Sequence, residues 1–279
     1  MESQKFNKII AVVIWYNPTN IEANKVKLYM KDVDSIIVVD NSKNDNIALI
    51  NGINNIYYLP QKDNLGIAKA LNIGCEKAKE LGADWVLTMD QDSTWNQHSV
   101  TDYIKMAANY PKFDKVAIFS PFHDCDGHPQ THKTKGIYEN KKVIMCSGNL
   151  LRISAWQQAN GFREDFFIDS VDDEICCHLR QFGWEIVRIN NIYLTHALGN
   201  GVQDVPLIHH PYVAHTAWRY YYIARNMRRM IQMYPDMAKY YKKSMRKYIK
   251  RLWLYDWDDK FAKLKELHRG WFDGNISDK

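Results

Sequence analysis

Trp85-Val86-Leu87-Thr88-Met89-Asp90-Gln91-Asp92 is a short, mainly apolar run that stops abruptly at two carboxylates. Such a run predicts a strand buried on both faces over 85–89, with polar groups presented at its carboxyl end. The same arrangement occurs twice upstream. Ile9–Trp15 is apolar and β-branched and closes on Tyr16-Asn17-Pro18, and Ser35–Val39 closes on Asp40-Asn41-Ser42. A further short strand, Ile56–Leu59, precedes Asn64-Leu65-Gly66. Helical spacing fills the intervals, over 20–30 and, more clearly, over 67–81, where Ile67, Ala70, Leu71, Gly74 and Ala78 share a face. Strands alternating with helices predict an α/β fold, an open and mostly parallel sheet flanked by helices. Ligands of such sheets bind beyond the carboxyl ends of the strands, where Asn17, Asp40 and Asp90 all fall.

The chain has no G-x-G-x-x-G after its first strand and no G-x-x-x-x-G-K-[ST]. Dinucleotide-binding and Walker-type ATPase readings are therefore disfavoured. Residues 119–142, rich in Gly, His, Asp and Lys, read as a long loop or hairpin. Regular structure resumes over 143–196, and 218–261 is helical in character.

With 279 residues the chain can bury the core of one large α/β domain, with or without an appendage. Its net charge of +5 is unevenly spread. Residues 1–200 carry 21 Lys/Arg against 24 Asp/Glu, and residues 201–279 carry 16 against 8. From Arg219 to Arg251 there are 11 bases and one acid, interleaved with Tyr and Trp. This composition suits an anionic membrane surface, and equally a helical subdomain that packs its aromatics inward. A nucleic-acid-binding module fits less well, since no RNA-binding signature or zinc finger accompanies the bases. Five cysteines without a C-x-x-C pair argue for a reducing compartment. The apolar run Ile9–Tyr16 is too short to span a bilayer, so the expected location is the cytoplasm, with contact at the membrane's inner face.

Two acidic clusters carry chemistry. Asp90 and Asp92, two apart in an extended segment, would point the same way and reach one hard cation. The alternative is an exposed acidic turn, or a helix N-cap at Asp92 or Ser93. Phe166-Phe167-Ile168-Asp169-Ser170-Val171-Asp172-Asp173-Glu174 places four carboxylates among apolar residues just before a predicted helix. Acids favour a first helical turn on electrostatic grounds alone. Their density beside aromatics points further, to a general base: Asp172, with Glu174 or Asp173 orienting it. His123, His128 and His132, with Asp124, Cys125 and Asp126, read as a polar loop near an acceptor rather than a zinc site. His209-His210-Pro211 reads as a loop, and His215 as either a site residue or a helix start.

In order along the chain, Ile14-Trp15-Tyr16-Asn17-Pro18, Val38-Val39-Asp40-Asn41-Ser42, Asn64-Leu65-Gly66-Ile67-Ala68, Leu87-Thr88-Met89-Asp90-Gln91-Asp92-Ser93, Ser147-Gly148-Asn149, the 167–174 cluster and His196-Ala197-Leu198-Gly199 form one set. The set resembles glycosyltransferase family 2, and within it the bacterial rhamnosyltransferases, from about Lys8 to Asn226. Two departures are Val171 before Asp172, where many members have Glu, and His178, where many have Arg. The resemblance implies a GT-A fold over 1–215 and a helical, basic region over 216–279. It implies nucleotide contacts from Asn17, Asp40, Asn64, Gly66 and Asp90. Mg²⁺ or Mn²⁺ would be held by Asp90, Asp92 and His196, and Asp172 would be the catalytic base. The implied donor is dTDP-L-rhamnose, with UDP-galactofuranose or a UDP-hexose as alternatives, and the implied acceptor is a saccharide or lipid-linked glycan.

Overall fold

The computed structural model describes residues 5–95, 100–124, 136–196, 202–205 and 210–276, without the side chains of 196, 202–205 and 210–213. The chain forms two compact units, Met1–Asp165 with Ile175–Ala197, and Phe166–Glu174 with Leu198–Lys279.

The first unit is built on a mixed sheet. Its strands are β1 (Ile9–Trp15), β2 (Ser35–Asp40), β3 (Ile56–Pro60), β4 (Trp85–Asp90), β5 (Ser93–Trp95), β6 (Val116–Asp124), β7 (Tyr138–Asn140), β8 (Asn149–Arg152) and β9 (Glu185–His196). They lie in the order β3-β2-β1-β4-β8-β6-β9-β5, with β7 also on β9. The segment β3-β2-β1-β4 is parallel throughout, whereas β8 runs antiparallel between β4 and β6. β1 and β2 are buried along their whole length, as their unbroken apolar sequences require. The helices of this unit are α1 (Asn20–Lys25), α2 (Ile67–Glu80), α3 (Val100–Ala108) and α4 (Ile153–Gln158), together with most of α5 (Val171–Gln181), whose first residues belong to the second unit.

Three sequence readings need correction. The helix expected over 20–30 ends at Lys25 and gives way to a 3₁₀ turn, Val26–Leu28. Residues 119–124 are not loop but most of β6, an inner strand. Pro121 cannot donate to a ladder, and it is accommodated where the β6–β9 register shifts between Pro121 and Phe122. His123 therefore stands on a strand, with Nε2 2.6 Å from the Ser147 carbonyl oxygen. His128, His132, Cys125 and Asp126 lie outside the described residues. Finally, His210-Pro211 belongs to a strand rather than a loop: β10 (Val202–Val205) pairs antiparallel with β11 (His210–Val213). His209 lies outside the described residues.

The second unit contains α6 (Ala217–Met233), α7 (Ala238–Leu254) and α8 (Lys260–Asp273). Thr216 caps α6 by accepting from the Arg219 amide. α6 and α8 approach closely at Gly270, where a Cβ would sit 2.1 Å from the Tyr221 carbonyl oxygen. The turn between α7 and α8 is rooted by Asp256. Its buried carboxylate accepts from Tyr220 Oη at 2.7 Å and from Lys263 Nζ at 2.6 Å, and Lys263 is itself buried. Leaving one charge of such a pair unpartnered costs about 3–5 kcal/mol. Asp256→Ala is therefore expected to lower the unfolding free energy by about that much in urea titrations. Asp256→Asn/Lys263→Met, which removes both charges, should cost less than the single change.

Candidate active site

The residues that follow the strands of the first unit are joined by short hydrogen bonds. Asn17 takes a left-handed conformation, φ 48°, which asparagine tolerates, and its N–H donates to Ser42 Oγ at 2.7 Å. Asp40 ends β2 and is completely buried. A buried carboxylate must be hydrogen-bonded, and this one accepts from Ser42 N at 2.9 Å, Asn46 Nδ2 at 2.8 Å and Tyr58 Oη at 2.7 Å. Burial and the Asp40 bond push the Tyr58 hydroxyl far above its usual range. Asn41 N donates to Trp15 O at 2.8 Å, and its side-chain amide reaches Gly66 O at 3.1 Å. Gly66, φ 82°, begins α2 in a conformation open mainly to glycine, and its N–H donates to Asn64 Oδ1 at 3.0 Å. Asn17, Asp40, Asn64 and Gly66 thus belong to one network, linked through Asn41 and Ser42, to which the sequence reading assigned no role.

Asp90 is the last residue of β4, and its N–H donates to Ser147 Oγ at 3.0 Å. Ser147 in turn donates to Ser93 Oγ at 2.7 Å. Gln91 and Asp92 form a turn rather than the extended segment expected from the spacing. The turn is held at both sides. Gln91 Oε1 accepts from Tyr16 N at 2.7 Å while its Nε2 donates to Tyr16 O at 3.2 Å, and Lys25 Nζ donates to Asp92 O at 2.6 Å. β5 then pairs with β9 so that Ser93 opposes His196. The backbone of His196 is thereby set beside the residue that follows Asp92. Two carboxylates and an imidazole are a donor set that suits Mg²⁺ or Mn²⁺. Among the described residues, which exclude the His196 side chain, no three His, Cys, Asp or Glu groups form a metal-holding cluster.

In the second unit the acidic cluster is held in an unusual backbone. Phe167, Asp169 and Ser170 all have left-handed φ, at 62°, 64° and 60°. Each such residue costs roughly 1–2 kcal/mol, so the surroundings must impose the conformation. Asn226, fully buried on α6, does so. Its Nδ2 lies 2.9, 2.8 and 2.7 Å from the carbonyl oxygens of Phe166, Ile168 and Asp169. Arg225 Nη2 adds a bond to Phe166 O at 3.0 Å. Arg219 meets the Asp169 carboxylate with Nε at 3.1 Å and Nη2 at 3.0 Å. Burial drives the Asp169 carboxyl upward, and Arg219 offsets part of that rise.

α5 begins directly after this loop. Asp172 Oδ1 accepts from the Asp173 amide at 3.0 Å. Tyr241 Oη donates to Asp173 Oδ2 at 2.7 Å, and Tyr234 Oη donates to buried Glu174 at 2.7 Å. Burial raises the Asp173 carboxyl above its ordinary value, partly countered by Tyr241. The His215 imidazole is pushed down to about 4 by burial first and by Arg219 and Arg251 next, so it is neutral near pH 7. Asn226 turns its Nδ2 to three carbonyls and accepts from Arg225 Nε through Oδ1 at 3.0 Å, and only the Nδ2 contacts depend on the amide. Asn226→Asp, equal in shape but lacking those donors, should therefore destabilise as much as Asn226→Ala, by about 2–3 kcal/mol in chemical denaturation. A mild Asn226→Asp would show that the clamp is not what holds the loop.

A sequence model described as Glycosyl transferase family 2 matches residues 21–169, more than half of the chain. The dTDP-rhamnosyl transferase RfbF of Shigella flexneri is 29% identical over 241 residues, covering 79% of this chain and 78% of that protein. The N-acetylglucosaminyl-diphospho-decaprenol L-rhamnosyltransferase of Mycobacterium tuberculosis is 21% identical over 230 residues, covering 68% and 74%. Among solved structures, GalNAc-T7 with UDP, GalNAc and Mn²⁺ superposes with a TM-score of 0.57 at 11% identity, over 70% of this chain and 44% of that one. At that identity the likeness concerns the fold, and it bears out the expected GT-A architecture. The ordered strand-end network and the matched span lead to one conclusion: the chain belongs to glycosyltransferase family 2.

Proposed function

We propose that this glycosyltransferase is a metal-dependent, inverting rhamnosyltransferase. It transfers L-rhamnose from dTDP-L-rhamnose to a hydroxyl of a saccharide or lipid-linked acceptor, in the synthesis of a cell-surface polysaccharide. It works in the cytoplasm, at the inner face of the membrane. The transferase domain spans 1–215, and the basic helical region spans 216–279. The observation that carries the metal-dependent reading is the register of Ser93 with His196 beside the Asp90–Asp92 turn. The choice of rhamnose is supported by the two relatives, whose names specify that sugar.

In this reading Asn17, Asp40, Asn64 and Gly66 receive the nucleoside, and Asp90 lies at the diphosphate. Asp90, Asp92 and His196 would hold Mg²⁺ or Mn²⁺, which neutralises charge on the departing diphosphate. Asp172 takes the proton from the acceptor hydroxyl. The acceptor oxygen bonds to the anomeric carbon as its bond to the diphosphate oxygen breaks, and one displacement inverts that centre. Tyr241 and Tyr234 keep Asp173 and Glu174 in place behind the base.

Calorimetric titration with dTDP, UDP and GDP, with and without Mn²⁺, tests the donor site. Preferential, Mn²⁺-dependent binding of dTDP that is lost in Asp90→Ala/Asp92→Ala is the expected result. A preference for UDP would instead favour UDP-galactofuranose or a UDP-hexose as donor, and no nucleotide binding at all would remove the reading. Asp172→Asn should reduce kcat by about 10²–10⁴-fold with dTDP affinity unchanged.

A further inference from the structure

The inner face of α7 is formed by Tyr241, Met245 and Leu252, all buried. Its outer face has a different character. Lys239, Lys242, Lys243, Arg246, Lys247 and Lys250 line the helix, and α7 contains no Asp or Glu. At the C-terminal end of this basic face the chain turns into α8 and leaves large apolar side chains in solvent. Trp253 is 59% exposed, Leu254 52%, Trp257 66% and Phe261 85%. Four large apolar side chains thus stand in solvent within nine residues, 253–261.

The turn is not a frayed end. Asp256, between these side chains, is buried and bonded to Tyr220 and Lys263, so the backbone that presents them is anchored. Trp257 Nε1 donates to Trp253 O at 3.2 Å, and Lys260 Nζ lies 4.2 Å over the Trp253 ring. The exposed aromatic side chains therefore stand on an anchored turn at the end of a row of bases.

We propose that the outer face of α7 and the α7–α8 turn form a docking surface for an anionic phospholipid bilayer. Trp253, Leu254, Trp257 and Phe261 enter the interface while the α7 bases lie over the phosphates. Charge complementarity selects this occupant. A helix with bases on its polar face and tryptophan beside them suits the headgroup boundary, where indole rings prefer to sit. Asp258 and Asp259, exposed at the same turn, resist burial in hydrocarbon and fix the depth at the headgroups. The surface deepens the reading of a lipid-linked acceptor and rests on that reading for its purpose. Its lipid affinity is a separate property and is measured separately.

The test is co-sedimentation of the full chain with vesicles of phosphatidylcholine containing phosphatidylglycerol, and of phosphatidylcholine alone, at about 0.1 M salt. Binding to the anionic vesicles is expected, weakening as salt rises. Lys243→Glu/Lys247→Glu/Lys250→Glu should weaken it by about 100-fold or more, since each base near such a surface contributes appreciably. Trp257→Ser/Phe261→Ser should weaken it at least ~10-fold by removing apolar burial. Both variants change exposed side chains, and unchanged thermal unfolding confirms that they fold. Equal binding to both vesicle types, or variants that bind like the wild type, would overturn the proposal. So would tight capture of a single-stranded oligonucleotide that excess anionic vesicles fail to displace, which would make the face a nucleic-acid surface. A dimer in sedimentation velocity that Trp257→Ser/Phe261→Ser dissociates would assign the patch to self-association instead. Titration of the same samples with dTDP, UDP and GDP keeps the two claims apart: vesicle binding without binding of any of the three would sink the proposed transferase reading and leave the docking surface standing.

Discussion

β4 is hydrogen-bonded along both edges, parallel to β1 and antiparallel to β8, and the organisation of the sheet unit's candidate site depends on that double pairing. A strand enclosed in this way has no free ladder groups until it ends. Its last residue, Asp90, is where the backbone first needs outside partners, and Ser147 supplies one. Each neighbouring strand meets the same condition at the same edge. The loops after β1 and β2 and the start of α2 satisfy one another through Ser42, Asn41 and Gly66. The polar groups of the site therefore do two jobs. They give backbone N–H groups at and just after the ends of β1, β2 and β4 their partners, and they gather side chains of different strands into one place.

The parts of the fold that were legible in the sequence are those in which one physical cause acts alone. β1, β2 and β4 are apolar runs closed by turn residues, and burial explains them without reference to partners; β3, half-exposed at the sheet edge, is a short run of β-favouring residues. β6 was missed because Pro121 and His123 are turn and loop signals locally. Their tolerance depends on a register shift against β9, a strand distant in sequence. The conformation expected over Asp90–Asp92 differs from the one observed. The spacing of the two acids suggests an extended segment, whereas the chain must turn to let β5 reach β9.

The acidic cluster shows a further limit. The carboxylates of 169–174 could be seen in the sequence, and the helix beginning near Asp172 was predictable from apolar spacing. The left-handed loop before it could not be anticipated, because Phe, Asp and Ser do not advertise positive φ as glycine does. What imposes that loop is one amide, Asn226, with partners 57 to 60 residues upstream. No local pattern encodes such a contact. The Arg219–Asp169 bidentate pair is hidden in the same way, since the two residues lie 50 apart in sequence.

Gln91 sits between two carboxylates yet behaves as main chain. Its carboxamide offers Tyr16 the same donor and acceptor that a peptide group would, so the β1–β4 pairing continues for one more rung past Asp90, made by a side chain. A rung of this kind can be present or absent without unravelling the strands beneath it. The turn between the two acids is thus tied by a side chain to the residue that follows the neighbouring strand. Glutamate in its place would keep the reach and lose the donor, and asparagine would keep the donor and lose the reach. The middle position of the D-x-D turn is consequently constrained by both its reach and its donor, for a reason that has nothing to do with charge.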